Sequence, residues 1–109
     1  MSPITTHVLD TAKGCPAEGI AVTLEYMESP KNWINIAAGS TNEDGRIMDW
    51  MQGDIQEGEY RISFDTNDYH DGAGFFPSVT INFRIEQSGG HYHVPLLLSP
   101  FSFSTYRGS

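Results

Sequence analysis

The end of the chain combines groups that could bind and orient a small polar molecule. The C-terminal tail, residues 106–109, is Tyr-Arg-Gly-Ser, and it offers a phenol, a guanidinium, an unhindered backbone position and a hydroxyl beside the terminal carboxylate. Chain ends normally lose order and sequence information, whereas this tail closes a patterned run that begins at His91. We interpret Tyr106, Arg107, Gly108 and Ser109 as part of a binding site.

Two histidines occupy positions from which an imidazole can face away from a core. In the run HYHVPLLLSP, His93 alternates with Val94 and Leu96, so the histidine lies on the opposite strand face from these apolar residues. His7 has the same relation to Val8 in the run ITTHVLD. Because the ordinary pKa of imidazole is about 6.5, histidine is suited to acid–base work near neutral pH. Both residues are therefore candidates for catalysis.

Short β-like segments, separated by Gly and Pro, must position these groups. Their spacing favours an all-β fold, an antiparallel sandwich, over an α/β fold. Period-two alternation is clearest in IAVTLEYM and VTINFRIE, whose alternate apolar residues we assign to the core. Strands are predicted near residues 4–10, 20–28, 33–38, 46–49, 59–64, 78–87, 91–98 and 102–106. The core faces are Ile20, Val22, Leu24 and Tyr26 in one run, and Val79, Ile81, Phe83 and Ile85 in the other.

Two local signals predict how strands are connected. Asp65 or Thr66 can act as the N-cap of a short helix that ends before Gly72. Ser88-Gly89-Gly90 has the composition of a hairpin turn between the two strands that flank it. The sequence thus predicts one short helix and one hairpin in the second half of the chain.

Composition limits the class of protein. A chain of 109 residues has room for one domain, 1–109, with a modest core, and 39% hydrophobic residues suit a globular protein. A net charge of −8 without a basic cluster argues against nucleic-acid binding. No apolar run is long enough for a membrane span and no targeting pattern opens the chain, and with Cys15 as a lone cysteine we expect a cytoplasmic protein.

Several polar residues have a structural interpretation that competes with a functional one. His91 and His93 form an H-x-H pair that could ligate zinc, but no cysteine or suitably spaced carboxylate joins them, so we expect no metal site. Asp10 is expected to cap the turn that follows the first strand, and Cys15 to be a partly buried small hydrophobic residue. Arg61 is expected to be solvated or weakly paired at the surface.

Three separated motifs carry a resemblance to a known family. The opening ITTHVLDTAKGCPAEG, the middle motif NEDGR and the ending HVPLLLSP…STYRGS resemble the transthyretin-related 5-hydroxyisourate hydrolases, over nearly the whole chain. In that superfamily the STYRGS ending distinguishes the hydrolases from the hormone-carrying transthyretins. One departure is Phe101-Ser102-Phe103, where many relatives have a stretch similar to Tyr-Gly-Tyr.

The resemblance implies a fold, a reaction and an assembly. It implies a transthyretin-like two-sheet antiparallel β-sandwich of about eight strands with one short helix, assembled as a homotetramer with active sites at the dimer–dimer interface. The implied reaction is hydrolysis of 5-hydroxyisourate to 2-oxo-4-hydroxy-4-carboxy-5-ureidoimidazoline in urate degradation, without a cofactor. The implied catalytic residues are His7, Arg46 and His93, and the implied substrate-binding residues are His7, Arg46, Tyr106, Arg107, Gly108 and Ser109.

Two non-catalytic interpretations compete with this one. A transthyretin-like carrier would hold a small aromatic ligand in a central channel, but such a channel would be lined by small and apolar groups rather than by two histidines and an intact YRGS tail. A sandwich module used for adhesion would explain the alternating strands and assign no task to the tail.

Overall fold

Short β-strands make up most of the chain, as the Gly and Pro punctuation predicts. The computed structural model describes residues 2–51, 53–86 and 90–108. The predicted strands are present with ends that shift by a few residues, and one further two-residue strand follows the first. The elements are β1 (Ile4–Asp10), β2 (Cys15–Pro16), β3 (Ala21–Ser29), β4 (Asn32–Ser40), β5 (Arg46–Ile47), β6 (Gly58–Asp65), α1 (Thr66–Tyr69), β7 (Ser78–Ile85), β8 (Tyr92–Leu98) and β9 (Phe103–Thr105).

The strands form two sheets. Sheet I has the order β2-β1-β8-β9, with β5 also paired to β1, and sheet II has the order β4-β3-β6-β7. The predicted two-sheet, transthyretin-like sandwich is confirmed. Its pairs are antiparallel with one exception within the described residues, because β1 and β8 run parallel over the whole of β1. Strands far apart in sequence can pair in either direction, and no local turn constrains this pair.

Alternate residues of both sheets form the core between them. Each fully buried aliphatic or aromatic side chain contributes about 1.5–3 kcal/mol of hydrophobic stabilisation relative to its exposed state. The predicted core faces are confirmed, with Ile81, Phe83 and Tyr26 packed at the margin of the cluster. Residues that are at most 1% exposed include Ile4, Val8, Leu96 and Leu98 from sheet I and Val22, Leu24, Ile62, Phe64, Val79 and Ile85 from sheet II.

The helix α1 is confirmed where the capping signal predicts it. The Asp65 side chain caps the helix and accepts a hydrogen bond from the Asn67 amide at 3.2 Å. The helix is a single turn and ends before Gly72, which has a φ of +77°. Within the described residues no helix has the length and apolar character needed to cross a membrane.

The predicted hairpin at Ser88-Gly89-Gly90 is wrong. Of these residues, 88 and 89 lie outside the described part of the chain, but the flanking strands are placed. β7 pairs with β6 in sheet II, and β8 pairs with β1 and β9 in sheet I. The connection therefore crosses from one sheet to the other. Turn-forming residues predict a change of direction, but they do not determine which strand the chain joins next.

A buried carboxylate holds the end of β1, the first strand of sheet I. Asp10 is 3% exposed and caps the turn after β1, as predicted, since it accepts hydrogen bonds from the amides of Ala12 at 3.0 Å and Lys13 at 2.9 Å. Its other oxygen accepts a hydrogen bond from the Tyr69 hydroxyl at 2.6 Å. Burial by itself would raise the pKa of Asp10, but these three hydrogen bonds outweigh it and hold the pKa below its ordinary value. The contact ties α1 to the strand that carries His7.

Cys15 departs from its prediction. The sequence predicts a partly buried residue, but Cys15 is exposed in β2. The reason is that β2 is a two-residue strand at the edge of sheet I, paired on one side to β1.

The Tyr69→Phe substitution should destabilise the fold. It removes a hydrogen bond from a buried carboxylate, and we expect a loss of about 1–3 kcal/mol in the free energy of unfolding. Urea denaturation at pH 7 measures this loss. Tyr26→Phe is the matched control, because the Tyr26 hydroxyl donates a long hydrogen bond of 3.3 Å to the exposed carbonyl of Glu57. Equal stabilities for the two variants would contradict the assigned role of Tyr69.

Candidate active site

His7 and Arg46 lie directly opposite each other in sheet I. The antiparallel pairing of β1 and β5 places Arg46 beside His7. Both side chains lie on the outer face of sheet I, the face opposite the core, because Thr6 and Val8 on either side of His7 are fully buried. The predicted orientation of His7 is therefore confirmed.

The turn of the NEDGR motif holds Arg46 in this position. The Asn42 side-chain oxygen accepts hydrogen bonds from the amides of Asp44 at 2.9 Å and Arg46 at 3.0 Å. Gly45 has a φ of +74°, and its carbonyl accepts a hydrogen bond from the Val8 amide at 2.7 Å. A Cβ at position 45 would lie 2.4 Å from the Val8 carbonyl oxygen, so only glycine lets this turn approach β1 so closely.

His93 is on the same outer face, and its ring lies between β1 and the tail. The parallel register pairs Thr5 with His93 and His7 with Pro95, so both imidazoles emerge from neighbouring strands. On one side, the Thr5 hydroxyl lies 2.8 Å from Nδ1 of His93. On the other side, the Gly108 amide donates to the His93 carbonyl at 2.8 Å. A Cβ at position 108 would lie 2.6 Å from Cδ2 of the ring, so glycine is required where the tail passes His93.

Burial and a shared cation lower the pKa of both imidazoles and so favour their neutral form. For His7 and for His93, burial is the largest cause that lowers the pKa below 6.5, and the positive charge of Arg46 is the second. The charge of His7 also lowers the pKa of His93. At His7, a hydrogen bond to the Asp44 backbone and the charge of the Asp44 carboxylate oppose these effects and raise the pKa. His7, Arg46 and His93, which we call the His–Arg cluster, are thus electrostatically coupled.

The tail divides between the two faces of sheet I. The bridge between His93 and Gly108 continues the β8–β9 register, in which Leu96 pairs with Thr105. Gly108 and Tyr106 are therefore on the outer face with the His–Arg cluster, and Tyr106 is 59% exposed. Arg107 is on the opposite face, and its guanidinium lies 4.7 Å from the centre of the Tyr92 ring. Ser109 lies outside the described residues.

A cleft beside the His–Arg cluster is lined by His93 and by the tail. Its volume is about 290 Å³, and it runs between β7 and the tail at the edge of the sandwich. His93, Tyr106 and Arg107 line one wall, and Phe83 and Arg84 line the other. The predicted residues therefore form two adjoining groups, the His–Arg cluster and the cleft, and His93 belongs to both. Arg84, which sequence analysis left out of the site, joins the cleft because β7 lies at the edge of sheet II.

The H-x-H pair has a partner that sequence analysis missed. His91 Nε2 lies 3.0 Å from the same Thr5 hydroxyl that contacts His93. Among residues 2–51, 53–86 and 90–108, no three His, Cys, Asp or Glu side chains are grouped as metal ligands. The available signal for Thr5 was its position two residues before His7, which puts both side chains on one strand face.

The arrangement can perform acid–base chemistry on a polar substrate. A neutral imidazole can accept a proton from water, and the Arg46 guanidinium can stabilise negative charge that develops on an oxygen. Two imidazoles on one face also allow a proton taken at one to be returned at the other. These are the requirements for hydrolysis of an amide-like bond.

Comparison with known proteins identifies the family. The sequence model of the HIUase/Transthyretin family matches residues 4–108, so the chain belongs to this family. The resemblance seen in the motifs is confirmed.

The relatives include a 5-hydroxyisourate hydrolase, a uric acid degradation protein and a transthyretin. The chain is 44% identical to the 5-hydroxyisourate hydrolase of Mus musculus, over 99% of this chain and 96% of that protein. It is 46% identical to the uric acid degradation bifunctional protein TTL of Arabidopsis thaliana over 98% of its length, but it spans 37% of that longer protein. It also superposes on sea bream transthyretin in complex with thyroxine with a TM-score of 0.89 and 31% identity, covering 98% of this chain and 95% of that one.

Replacing Arg46 should raise the pKa of both cluster histidines. Arg46→Gln removes the cation that disfavours imidazolium at His7 and His93, so each pKa moves up from its depressed value. NMR titration of the ring resonances between pH 4 and 9 measures both values.

Arg61→Gln is the control for this titration. Arg61 pairs with Glu25 on sheet II at 2.7 Å and is not among the causes of either shift. It should leave both titrations unchanged. A pKa that fell or stayed constant in Arg46→Gln would show that the guanidinium is not coupled to the imidazoles.

Proposed function

We infer that the protein hydrolyses 5-hydroxyisourate to 2-oxo-4-hydroxy-4-carboxy-5-ureidoimidazoline, a step in urate degradation. The observation that carries this proposal is the His–Arg cluster, two imidazoles with lowered pKa values beside one guanidinium on a single sheet face. The hydrolase of Mus musculus supports it, because that relative matches 99% of this chain and is itself matched over 96% of its length.

The cluster supplies the groups that ring opening requires. His7 and His93 orient and deprotonate the attacking water and return the proton to the leaving nitrogen. Arg46 donates hydrogen bonds to the carbonyl oxygen whose negative charge increases as water adds. Both imidazoles must be neutral to accept a proton, and their lowered pKa values favour this state at neutral pH.

The tail forms the remainder of the substrate site in this proposal. Gly108 leaves room for the His93 ring, and Tyr106 lies on the same outer face. Arg107 contributes a cation to the cleft that also contains His93. Ser109 is proposed as a binding residue on the basis of its sequence alone.

The active assembly is proposed to be a homotetramer with its sites at the dimer–dimer interface. In a single chain the outer face of sheet I carries the half-exposed Leu97 and the exposed Tyr106 next to the His–Arg cluster. Covering this face with a second subunit would stabilise the assembly by about 25 cal/mol per Å² of apolar area removed from water. The second subunit would also exclude bulk water from the site. A cytoplasmic location remains a prediction from the sequence.

The transthyretin-like carrier is the second candidate. The close superposition on sea bream transthyretin with thyroxine favours it. The two functions require different groups around the ligand. Neutral imidazoles next to a guanidinium are suited to proton transfer, which hydrolysis requires and ligand carriage does not. Turnover of substrate separates the two functions, since a carrier binds without accelerating decay.

Substitutions in the cluster should lower turnover. His7→Asn, His93→Asn and Arg46→Glu should each reduce kcat/KM by about 10²-fold or more, the scale of a lost acid–base or oxyanion group. The assay adds the protein to a urate oxidase reaction and follows the decay of the transient 5-hydroxyisourate absorbance.

His70→Asn is the matched control, because His70 follows α1 and is not part of the cluster. It should keep close to the parent rate. Near-normal turnover in all three cluster variants, with folding verified by circular dichroism, would refute the site. Failure of the parent protein to accelerate the decay would refute the function.

A further inference from the structure

One buried hydroxyl lies between two imidazoles. Thr5 is fully buried, and its Oγ1 is 2.8 Å from Nδ1 of His93 and 3.0 Å from Nε2 of His91. His91 is exposed, whereas His93 belongs to the His–Arg cluster. The three side chains form a chain of hydrogen bonds from the surface to the proposed catalytic site.

The surroundings of His93 leave one ring nitrogen available to substrate. Nδ1 is occupied by Thr5 on the β1 side, and the Cδ2 edge is packed against Gly108 on the tail side. Among the described residues no hydrogen bond is made to Nε2, the other ring nitrogen. Nε2 is therefore the nitrogen at which His93 can exchange a proton with substrate or water, and the hydrogen on Nδ1 decides whether Nε2 can accept one.

The hydroxyl can donate to only one of the two rings, because it has a single hydrogen. In the first arrangement, Thr5 donates to His91, and Nδ1–H of His93 donates to Thr5. Nε2 of His93 then has a free lone pair and can act as a base. In the second arrangement, His91 donates to Thr5, and Thr5 donates to Nδ1 of His93. Nε2 of His93 then carries the hydrogen and cannot accept a proton.

The proposed reaction selects the first arrangement. His93 can take a proton from water at Nε2 only when that nitrogen carries no hydrogen, and a neutral ring then has its hydrogen on Nδ1. Nδ1–H of His93 then donates to the Thr5 hydroxyl, and the hydroxyl donates to Nε2 of His91.

We propose that Thr5 and His91 are positioning residues that hold His93 as its Nδ1–H tautomer and so keep Nε2 free to accept a proton. Thr5 acts on His93 directly, and His91 acts through Thr5 by accepting the hydrogen of its hydroxyl. This inference deepens the proposed function, on which its catalytic consequence rests. The tautomer itself can be measured without substrate.

The direct test is the tautomer of His93 in solution. Long-range ¹H–¹⁵N NMR correlation of the imidazole rings, recorded at pH 8 where the lowered pKa leaves His93 neutral, distinguishes a protonated from an unprotonated ring nitrogen. The spectrum contains four histidines, and His91→Ala and His93→Asn assign the two relevant ones. We expect Nδ1 of His93 to be protonated in the parent protein. A hydrogen on Nε2 would overturn the proposal.

Two substitutions remove the hydrogen-bonding chain at different points. Thr5→Val keeps the side-chain shape without the hydroxyl, and His91→Ala removes an exposed ring. Both should shift His93 toward the Nε2–H tautomer and lower kcat/KM by about tenfold or more, with the full contribution of a general base, about 10²–10⁴, as the upper limit. Thr5→Ser restores the hydroxyl and should restore both readouts.

Thr6→Val is the matched control. Thr6 is the next residue on β1, is equally buried, and donates its hydroxyl to the Val94 carbonyl on the core side at 2.6 Å. It should lose stability without changing the His93 tautomer. If Thr5→Val and Thr6→Val change the tautomer and rate equally, Thr5 is structural and the proposal fails. If the parent has Nδ1–H and Thr5→Val alters it, while no variant accelerates 5-hydroxyisourate decay, the hydrogen-bonding chain stands and the proposed function fails.

Discussion

The parallel pairing of β1 and β8 is the constraint on which the site depends. Its register places His7 opposite Pro95 and Thr5 opposite His93, so two histidines that are far apart in sequence share one sheet face. The same register buries the alternate residues of both strands, including Val8 and Leu96. A shift of one residue would turn the imidazoles into the core and the apolar residues outward. The hydrophobic core therefore fixes the relative positions of His7 and His93.

Close backbone approach completes the site where side chains would not fit. The turn that carries Arg46 lies against β1 because Gly45 has no Cβ, and the tail lies against the His93 ring because Gly108 has none. These contacts bring the Arg46 guanidinium and Gly108 of the tail to partly buried imidazoles. Burial and the added cation lower the pKa of His7 and His93, so the packing that builds the site also favours the neutral form of both rings.

Local structure followed from the sequence, and long-range pairing did not. Period-two alternation located the strands and core faces, and the capping signal at Asp65 located α1. The composition of residues 88–90 predicts a hairpin, and this prediction is wrong because local composition carries no information on which sheet the next strand joins. The position of Arg107 on the face opposite His93 depends on the β8–β9 register, which is set by contacts between distant residues. Threonine is common in β-strands, so the sequence gives no signal that Thr5 contacts His93.

The pH dependence of kcat/KM for 5-hydroxyisourate tests the central claim most directly, because it reports the protonation state of the free enzyme's essential groups. If neutral His7 and His93 are the bases, activity is present when both are deprotonated and is lost as pH falls through their pKa values. Since both values are lowered from 6.5, kcat/KM should be constant through neutral pH and should decline only below pH 6.5. A half-maximal point above pH 6.5, or activity that increases on acidification, would contradict the account.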